Sequence, residues 1–168
     1  YPNAALTTQI TYDVLDDVTS VTQEIDASTN AVTGFQRDPE QNVETITLPE
    51  GNQVRIARDA RGFPQATTRG FGSPDAATTT TEFDGNQNLV HMVFGEGGSH
   101  ELLRAMNGFD LVASESDGLG HHTDTQYNAT STPIQVKRVE AGGAVLSQTN
   151  LGVDELQRVF QVDRLFSS

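Results

Sequence analysis

Two hydrophobic periods compete along the chain, and the shorter one dominates. Apolar and polar residues alternate through Val43-Glu44-Thr45-Ile46-Thr47-Leu48, and Leu89 to Phe94 is β-branched or apolar at most positions. A period of two sends successive side chains to opposite faces of a strand. Clusters of Gly, Asn, Asp and Pro interrupt these runs at Pro49-Glu50-Gly51-Asn52, Gly70 to Asp75, Gly95 to Ser99 and Gly142-Gly143. Such clusters are turn formers. The pattern therefore predicts strand, turn, strand, loop, many times over. Helical spacing is scarce: Asp154 to Phe166, with Leu156, Val159 and Phe160, reads equally as helix or strand. The expected class is all-β, an array of antiparallel β-hairpins.

The hairpins repeat. Tyr12-Asp13 through Val18-Thr19 has an aromatic, an acid, a turn cluster and an apolar residue five places after the acid. Phe83-Asp84 through Leu89-Val90 matches it, and Arg37-Asp38 through Val43 keeps the Asp and the apolar position. Arg58-Asp59-Ala60-Arg61-Gly62 keeps the Asp and the turn Gly, while Tyr127-Asn128 is a copy with Asn for Asp. Met106-Asn107-Gly108-Phe109-Asp110-Leu111 fits if one turn residue is lost, and the poorest copy surrounds Thr149-Asn150-Leu151-Gly152. The anchors 13, 38, 59 and 84 lie 25, 21 and 25 residues apart, and 128 follows 44 residues later. About seven repeats of about 22 residues thus span residues 1–168 as a single array. In each, Gly, Asn and Asp tolerate the positive φ that tight turns require, and the leading Asp can accept turn amides. The Tyr or Phe before it is expected to stack on the matching ring of the next hairpin.

These units resemble the Rhs/YD-repeat family, whose core reads Tyr-Asp-x-x-Gly-Asn/Arg-Leu before a β run. The resemblance rests on Tyr12, Asp13, Asp38, Asp59, Gly62, Phe83, Asp84, Leu89, Tyr127 and Asn128. It implies a fold in which consecutive hairpins pair into a long sheet that spirals into a hollow shell. The family includes bacterial polymorphic toxins, the C components of insecticidal Tc complexes and the teneurin adhesion proteins, so a structural role is implied. The chain departs from the pattern at Arg37 and Arg58, which replace the core Tyr. The self-cleaving Asp-Pro-x-Gly-Leu signature of toxin-type members is missing, since Asp38-Pro39 runs into Glu40-Gln41. Seven repeats are too few to close such a shell, so the chain is expected to be part of a longer wall or to complete its structure with other copies.

Composition narrows the function classes. Hydrophobic residues make up 35% and aromatics 7%, too thin for a thick core. Lys+Arg is 10 against Asp+Glu 23, a formal charge of −13, which repels phosphate backbones and anionic lipid. Nucleic acid is therefore an unsuitable partner, and no run is long enough to insert in a membrane as a helix. The nine Arg, single Lys (Lys137) and 20 Thr suit an extracellular, secreted or cell-surface protein. Without Cys there are no disulfides, thiolate metal sites or cysteine nucleophile. A chain beginning at Tyr1 is expected to be a processed product or a fragment.

Candidate chemistry is sparse. His121, His122 and Asp124, with Asp117, form the densest metal-type cluster, but adjacent His residues on a strand would face opposite ways. His91 sits in a β run, and His100 is isolated. The acidic stretches Asp13 to Asp17 and Asp110 to Asp117 suggest weak Ca²⁺ attraction without an EF-hand pattern. Ser, His and Asp are present without a Gly-x-Ser-x-Gly elbow, and Gly95-Glu96-Gly97-Gly98 fits a turn better than a phosphate cradle. Asn128-Ala129-Thr130 is an N-glycosylation acceptor. The reading is a non-enzymatic structural segment of a shell, tube or fibre without metal or other cofactor. Its expected partners are neighbouring repeats of the same or other copies, an encapsulated polypeptide or surface glycans. The alternative is a carbohydrate-binding or adhesion module with Tyr12, Phe83 and Tyr127 as an outward ring platform.

Overall fold

The loops at the repeat anchors decide the register of their hairpins, because all seven are closed by the same pair of backbone hydrogen bonds. The computed structural model describes residues 6–95 and 100–166. Its strands are β1 (Thr8–Tyr12), β2 (Val18–Asp26), β3 (Thr29–Arg37), β4 (Val43–Thr47), β5 (Gln53–Arg58), β6 (Pro64–Arg69) and β7 (Ala77–Phe83), followed by β8 (Leu89–Phe94), β9 (Glu101–Met106), β10 (Val112–Asp117), β11 (His122–Tyr127), β12 (Pro133–Val139), β13 (Val145–Val153) and β14 (Val159–Phe166). They form one 14-stranded sheet in which each strand is hydrogen-bonded to the next in sequence, antiparallel, with β1 and β14 at the ends of the order. The chain divides into two compact units, Tyr1–Thr79 and Thr80–Ser168.

Within the first unit the loops begin at Asp13, Asp38 and Asp59; within the second, at Asp84, Asn107, Asn128 and Asp154. In every case the anchor's amide donates to the carbonyl four residues on, and its carbonyl accepts from the amide three residues on. For Asp59 these are Asp59 N to Phe63 O at 2.8 Å and Gly62 N to Asp59 O at 2.9 Å. The residue three after each anchor has positive φ: Asp16 65°, Gln41 68°, Gly62 86°, Gln87 74°, Asp110 58°, Ser131 65° and Gln157 63°. The loop is a type I turn closed by a left-handed residue, a common three-residue hairpin connection. At the opposite strand ends the same bonds recur at Leu48, Asp117 and Glu140.

One loop geometry gives one register. The residue three before the anchor faces the residue eight after it in Ile10–Val21, Phe35–Ile46, Ile56–Thr67, Arg104–Glu115, Thr125–Val136 and Leu151–Val162. Between the two lies a register shift, where the residue before the anchor pairs with the one five after it, as in Tyr12–Val18, Arg37–Val43 and Tyr127–Pro133.

The faces follow from these pairs. In the first unit Ile10, Val21, Phe35, Ile46, Val54 and Ile56 share one face. The other carries hydroxyls, with Thr11 and Ser20 oxygens 2.7 Å apart and those of Thr68 and Thr78 2.8 Å apart. In the second unit Met92, Leu102, Val136, Leu151 and Val162 lie on the apolar face, interrupted by the directly opposed pair Arg104–Glu115 at 2.8 Å. Its polar face holds an amide chain in which Gln135 and Gln148 both donate to Asn150 Oδ1 at 2.9 Å. No second layer covers either face: among the described residues only Val139 and Thr45 are buried. Cross-strand pairs, each contributing about 0.2–1 kcal/mol, carry stability that a core supplies elsewhere.

The structure settles one open reading and corrects several expectations. Asp154 to Phe166, readable as helix or strand, is a turn followed by β14. The seventh repeat is anchored at Asp154, while Asn150 lies inside β13 and makes no turn. Asn107 anchors a complete loop with Val112 five places on, so no turn residue is lost there. Most of the supposed acidic loop 110–117 is β10. The turn at Gly95 to Ser99, and with it Gly95-Glu96-Gly97-Gly98, lies largely outside the described residues.

Gly62 tests the left-handed position without steric complication, since a Cβ there would meet no atom within 4 Å. Gly62→Ala is expected to cost about 1 kcal/mol of stability from the positive φ alone, measured by urea unfolding. An unchanged midpoint would show that this residue does not need the left-handed conformation.

Candidate functional site

The loops that start at the repeat anchors are the most elaborated part of the molecule. The anchor side chain sits inside its own turn and, at six of the seven anchors, accepts from two amides, those two and four residues on. Asp13 Oδ1 takes Leu15 N at 2.8 Å and Asp17 N at 3.0 Å; Asp84 Oδ1 takes Asn86 N at 2.9 Å and Asn88 N at 2.8 Å. Asp59 does the same for Arg61 and Phe63, and Asp154 for Leu156 and Arg158. Asp38 Oδ1 takes Asn42 N at 2.8 Å. Asn serves as well, because the bond needs only an oxygen: Asn107 accepts from Phe109 and Leu111, Asn128 from Thr130 and Thr132. The Arg158 amide, then its guanidinium, hold the Asp154 carboxyl below the usual carboxylate range. At Asp59 desolvation pushes upward, but the Arg61 and Phe63 hydrogen bonds outweigh it and the net shift is down.

Several successive loops are tied to one another. Tyr127 donates its hydroxyl to the Val112 carbonyl at 2.9 Å, reaching the residue five after the previous anchor. Arg37 makes the equivalent bond to Val18 O at 3.4 Å, pairs with Asp17 at 3.2 Å, and donates to Gln41 O within its own loop. Arg therefore does at this position what Tyr does. The left-handed residue makes a second tie. Asp110 Oδ1 accepts from Asn86 Nδ2 at 2.8 Å and Asn88 Nδ2 at 2.9 Å. Gln157 Oε1 accepts from Asn128 Nδ2 at 3.1 Å and from the Thr130 and Thr132 hydroxyls. The Asn128 nitrogen that a glycan would occupy is thus already engaged with the next loop.

The expected ring ladder does not form. The residues before the seven anchors are Tyr12, Arg37, Arg58, Phe83, Met106, Tyr127 and Val153, so no two consecutive repeats carry a ring there. Phe83 on β7 and Tyr127 on β11 are four strand spacings apart, roughly 19 Å, so they do not stack on one another. Leu89 opens β8, five residues after Asp84, in line with Val18, Val43, Pro64, Val112, Pro133 and Val159 of the other repeats.

The His and Asp cluster resolves into turn and strand pairs. His121 closes the Asp117 turn, with its amide on Asp117 Oδ1 at 2.9 Å and its ring Nδ1 3.0 Å from Oδ2. His122 lies on β11, its Nε2 3.6 Å from Asp124 Oδ2, while Asp124 Oδ1 accepts from Ser114 Oγ at 2.7 Å. A catalytic triad needs the imidazole between hydroxyl and carboxylate, able to take the hydroxyl proton. Here the carboxylate is in the middle and Ser114 is not activated. Among the described residues no three His, Asp or Glu side chains converge as a metal site. In the first unit an open groove of about 430 Å³ runs between Asp38, Glu40 and Glu44 on one side and Arg58, Asp59 and Gly62 on the other. Its anchor carboxylates are already saturated by their turns.

His91 is flanked by acids on both sides. Its Nε2 lies 2.9 Å from Glu101 on β9 and its Nδ1 3.7 Å from Glu82 on β7. The hydrogen bond to Glu101, against some desolvation and with help from Glu82, holds the imidazole above its usual value.

The fold defined by these features is an open sheet of hairpin repeats joined loop to loop. No protein-family profile matches the chain, and no curated protein matches it. Among solved structures it is similar to a TcdB2–TccC3 complex crystallised without its hypervariable C-terminal region, with TM-score 0.71 and 12% identity over 90% of this chain and 9% of that one. A second TcdB2–TccC3 crystal structure aligns with TM-score 0.55 and 12% identity over 97% of this chain and 11% of that one. A mutant Tc holotoxin pore from Photorhabdus luminescens aligns with TM-score 0.54 and 13% identity over 97% and 10%. The chain spans about a tenth of the length of these chains. This likeness is one of fold, and it agrees with the Rhs/YD resemblance read from the repeats.

Two outcomes test the site. Asp84→Ala leaves two turn amides without their acceptor and is expected to cost about 1–2 kcal/mol. Asp84→Asn should cost clearly less, because the amide oxygen accepts as it does at Asn107; equal losses in chemical denaturation would contradict the role. For His91 the folded pKa is raised, so its contribution to stability is complete below about 6.5 and is lost as pH rises through the raised value. Melting followed across that range should fall in the native protein and lose this component in His91→Gln.

Proposed function

We propose that the chain is a non-enzymatic wall segment of a secreted or cell-surface Rhs/YD-type assembly, one that encloses cargo or scaffolds contacts. The observation that carries this reading is the uniformity of its repeats. One loop and one register serve both units, and loop side chains are spent on their own turn or, between several successive loops, on the neighbour. Such a sheet is quasi-one-dimensional: every hairpin is stabilised by the hairpins beside it, and the whole extends by addition. The polar clusters weighed as catalytic or metal sites hold turns or cross-strand pairs, which supports a structural role. The likeness to TcdB2–TccC3 chains and a Tc holotoxin pore supports the wall reading. An acidic, Lys-poor surface keeps an exposed sheet soluble. Electron microscopy of the native assembly is expected to place these hairpins in the wall of a hollow or elongated particle. Small particles in which the sheet lies packed against a globular domain would overturn the proposal.

A further inference from the structure

The two faces of the sheet carry charge unequally in the second unit. Cross-strand pairing puts Val136, Arg138, Ser147, Thr149, Arg164 and Phe166 on one face of β12 to β14. The acids of β11 to β14, Asp124 and Asp163, lie on the opposite face, where they pair with Lys137 and Asn150. The six residues of the first face line an open groove of about 450 Å³, and no Asp or Glu lines it. In a protein of formal charge −13, a groove with two guanidinium groups and no carboxylate reverses the charge of its surroundings.

Two rungs set the arrangement. Ser147 on β13 stands between Arg138 and Phe166, and Thr149 stands between Val136 and Arg164. β13 therefore presents two half-buried hydroxyl-bearing residues roughly 7 Å apart along the strand. The guanidinium groups occupy diagonal corners around them, and apolar side chains occupy the other two. The Arg138 and Arg164 backbones are roughly 12 Å apart, a span that two Arg side chains can close over β13. Most other arginines are already engaged. Arg37, Arg55, Arg61, Arg104 and Arg158 pair with carboxylates, and Arg58 donates to Gly62 O in its own loop. Among the described residues the side chains of Arg138, Arg164, Ser147 and Thr149 have no such partner.

We propose that this groove is a binding site for an oxyanion: a sulfate, phosphate or carboxylate group. Arg138 and Arg164 take its oxygens through charge-assisted, forked hydrogen bonds. The Ser147 and Thr149 hydroxyls donate to the same group, and Val136 and Phe166 flank the apolar part of its carrier. The site lies on the face of three paired strands, not on an edge. It is independent of the wall reading, which stands whether or not an anion binds.

Nuclear magnetic resonance titration of the protein with sodium sulfate at low ionic strength tests it. Saturating shifts are expected at the Ser147 and Thr149 amides and at the Arg138 and Arg164 side-chain Nε–H groups, in the millimolar range. Arg138→Gln and Arg164→Gln should each weaken binding roughly tenfold with circular dichroism unchanged, and Thr149→Val should weaken it less. Arg69 is the control, an exposed guanidinium in the first unit that likewise has no partner among the described residues. Arg69→Gln should change nothing. A sulfated monosaccharide that binds more tightly than inorganic sulfate supports the site and identifies a saccharide as the carrier, whereas equal affinity supports it with the free anion as ligand. Shifts spread evenly over the arginines without saturation overturn the proposal. So does a loss in Arg138→Gln that Arg69→Gln matches.

Discussion

The structure depends on one oxygen per repeat. A loop of five residues must turn the chain back on itself while leaving its amides satisfied, and the anchor Asp or Asn does this from inside the turn. With two amides held, the fourth loop residue is left in the left-handed region, where Gly is free and Asp, Gln or Ser is tolerated at a cost. Fixing the loop fixes the shift beside it, and the shift fixes which residues face each other. A slip of one residue would exchange the apolar and hydroxyl faces along a strand. The loop chemistry is thus a register device, and the uniform pairing of six hairpins is its consequence.

Such a sheet has little else to rely on. Apolar rungs such as Phe35–Ile46 and Leu151–Val162 are covered only by their neighbours along the same face. Where the rung is Arg104–Glu115, an ion pair replaces the apolar contact without disturbing the register. This tolerance is intelligible if position, not residue type, is what the loops enforce. It also explains why identity to structures of like fold is low: an oxygen acceptor, a left-handed residue and a β-prone residue five places on suffice.

Much of this was legible in the sequence, for physical reasons. The alternation of Val43 to Leu48 and the turn clusters marked strands and hairpins, and the anchors Asp13, Asp38, Asp59 and Asp84 marked the period. The copies at Asn107 and Asp154 were misaligned because Phe109-Asp110 and Asn150 resemble the core locally, although Val112 and Val159, five residues after the true anchors, were visible. The side chains that join one loop to the next were not legible at all. Arg37 looked like a loss of the family Tyr, yet a long donor at that position reaches the same carbonyl by a different chemistry. Gln157 and Asp110 carry no motif, since their role depends on the loop of the preceding repeat rather than on their own neighbours in sequence. The metal-like look of the cluster has a local cause, because His121 and Asp117 are close in sequence for the sake of a turn.

The claim at the centre of this account is that one loop sets one register, at hairpins such as Ile10–Val21 and Leu151–Val162, and that junctions such as Ile46–Val54 and Glu115–Thr123 keep it. Cross-strand Hα–Hα and amide nuclear Overhauser effects read that register directly in solution. The account predicts the pairs Ile10–Val21, Ile46–Val54, Glu115–Thr123 and Leu151–Val162 together in one spectrum. Mixed registers, or contacts between strands that are not neighbours in sequence, would contradict it.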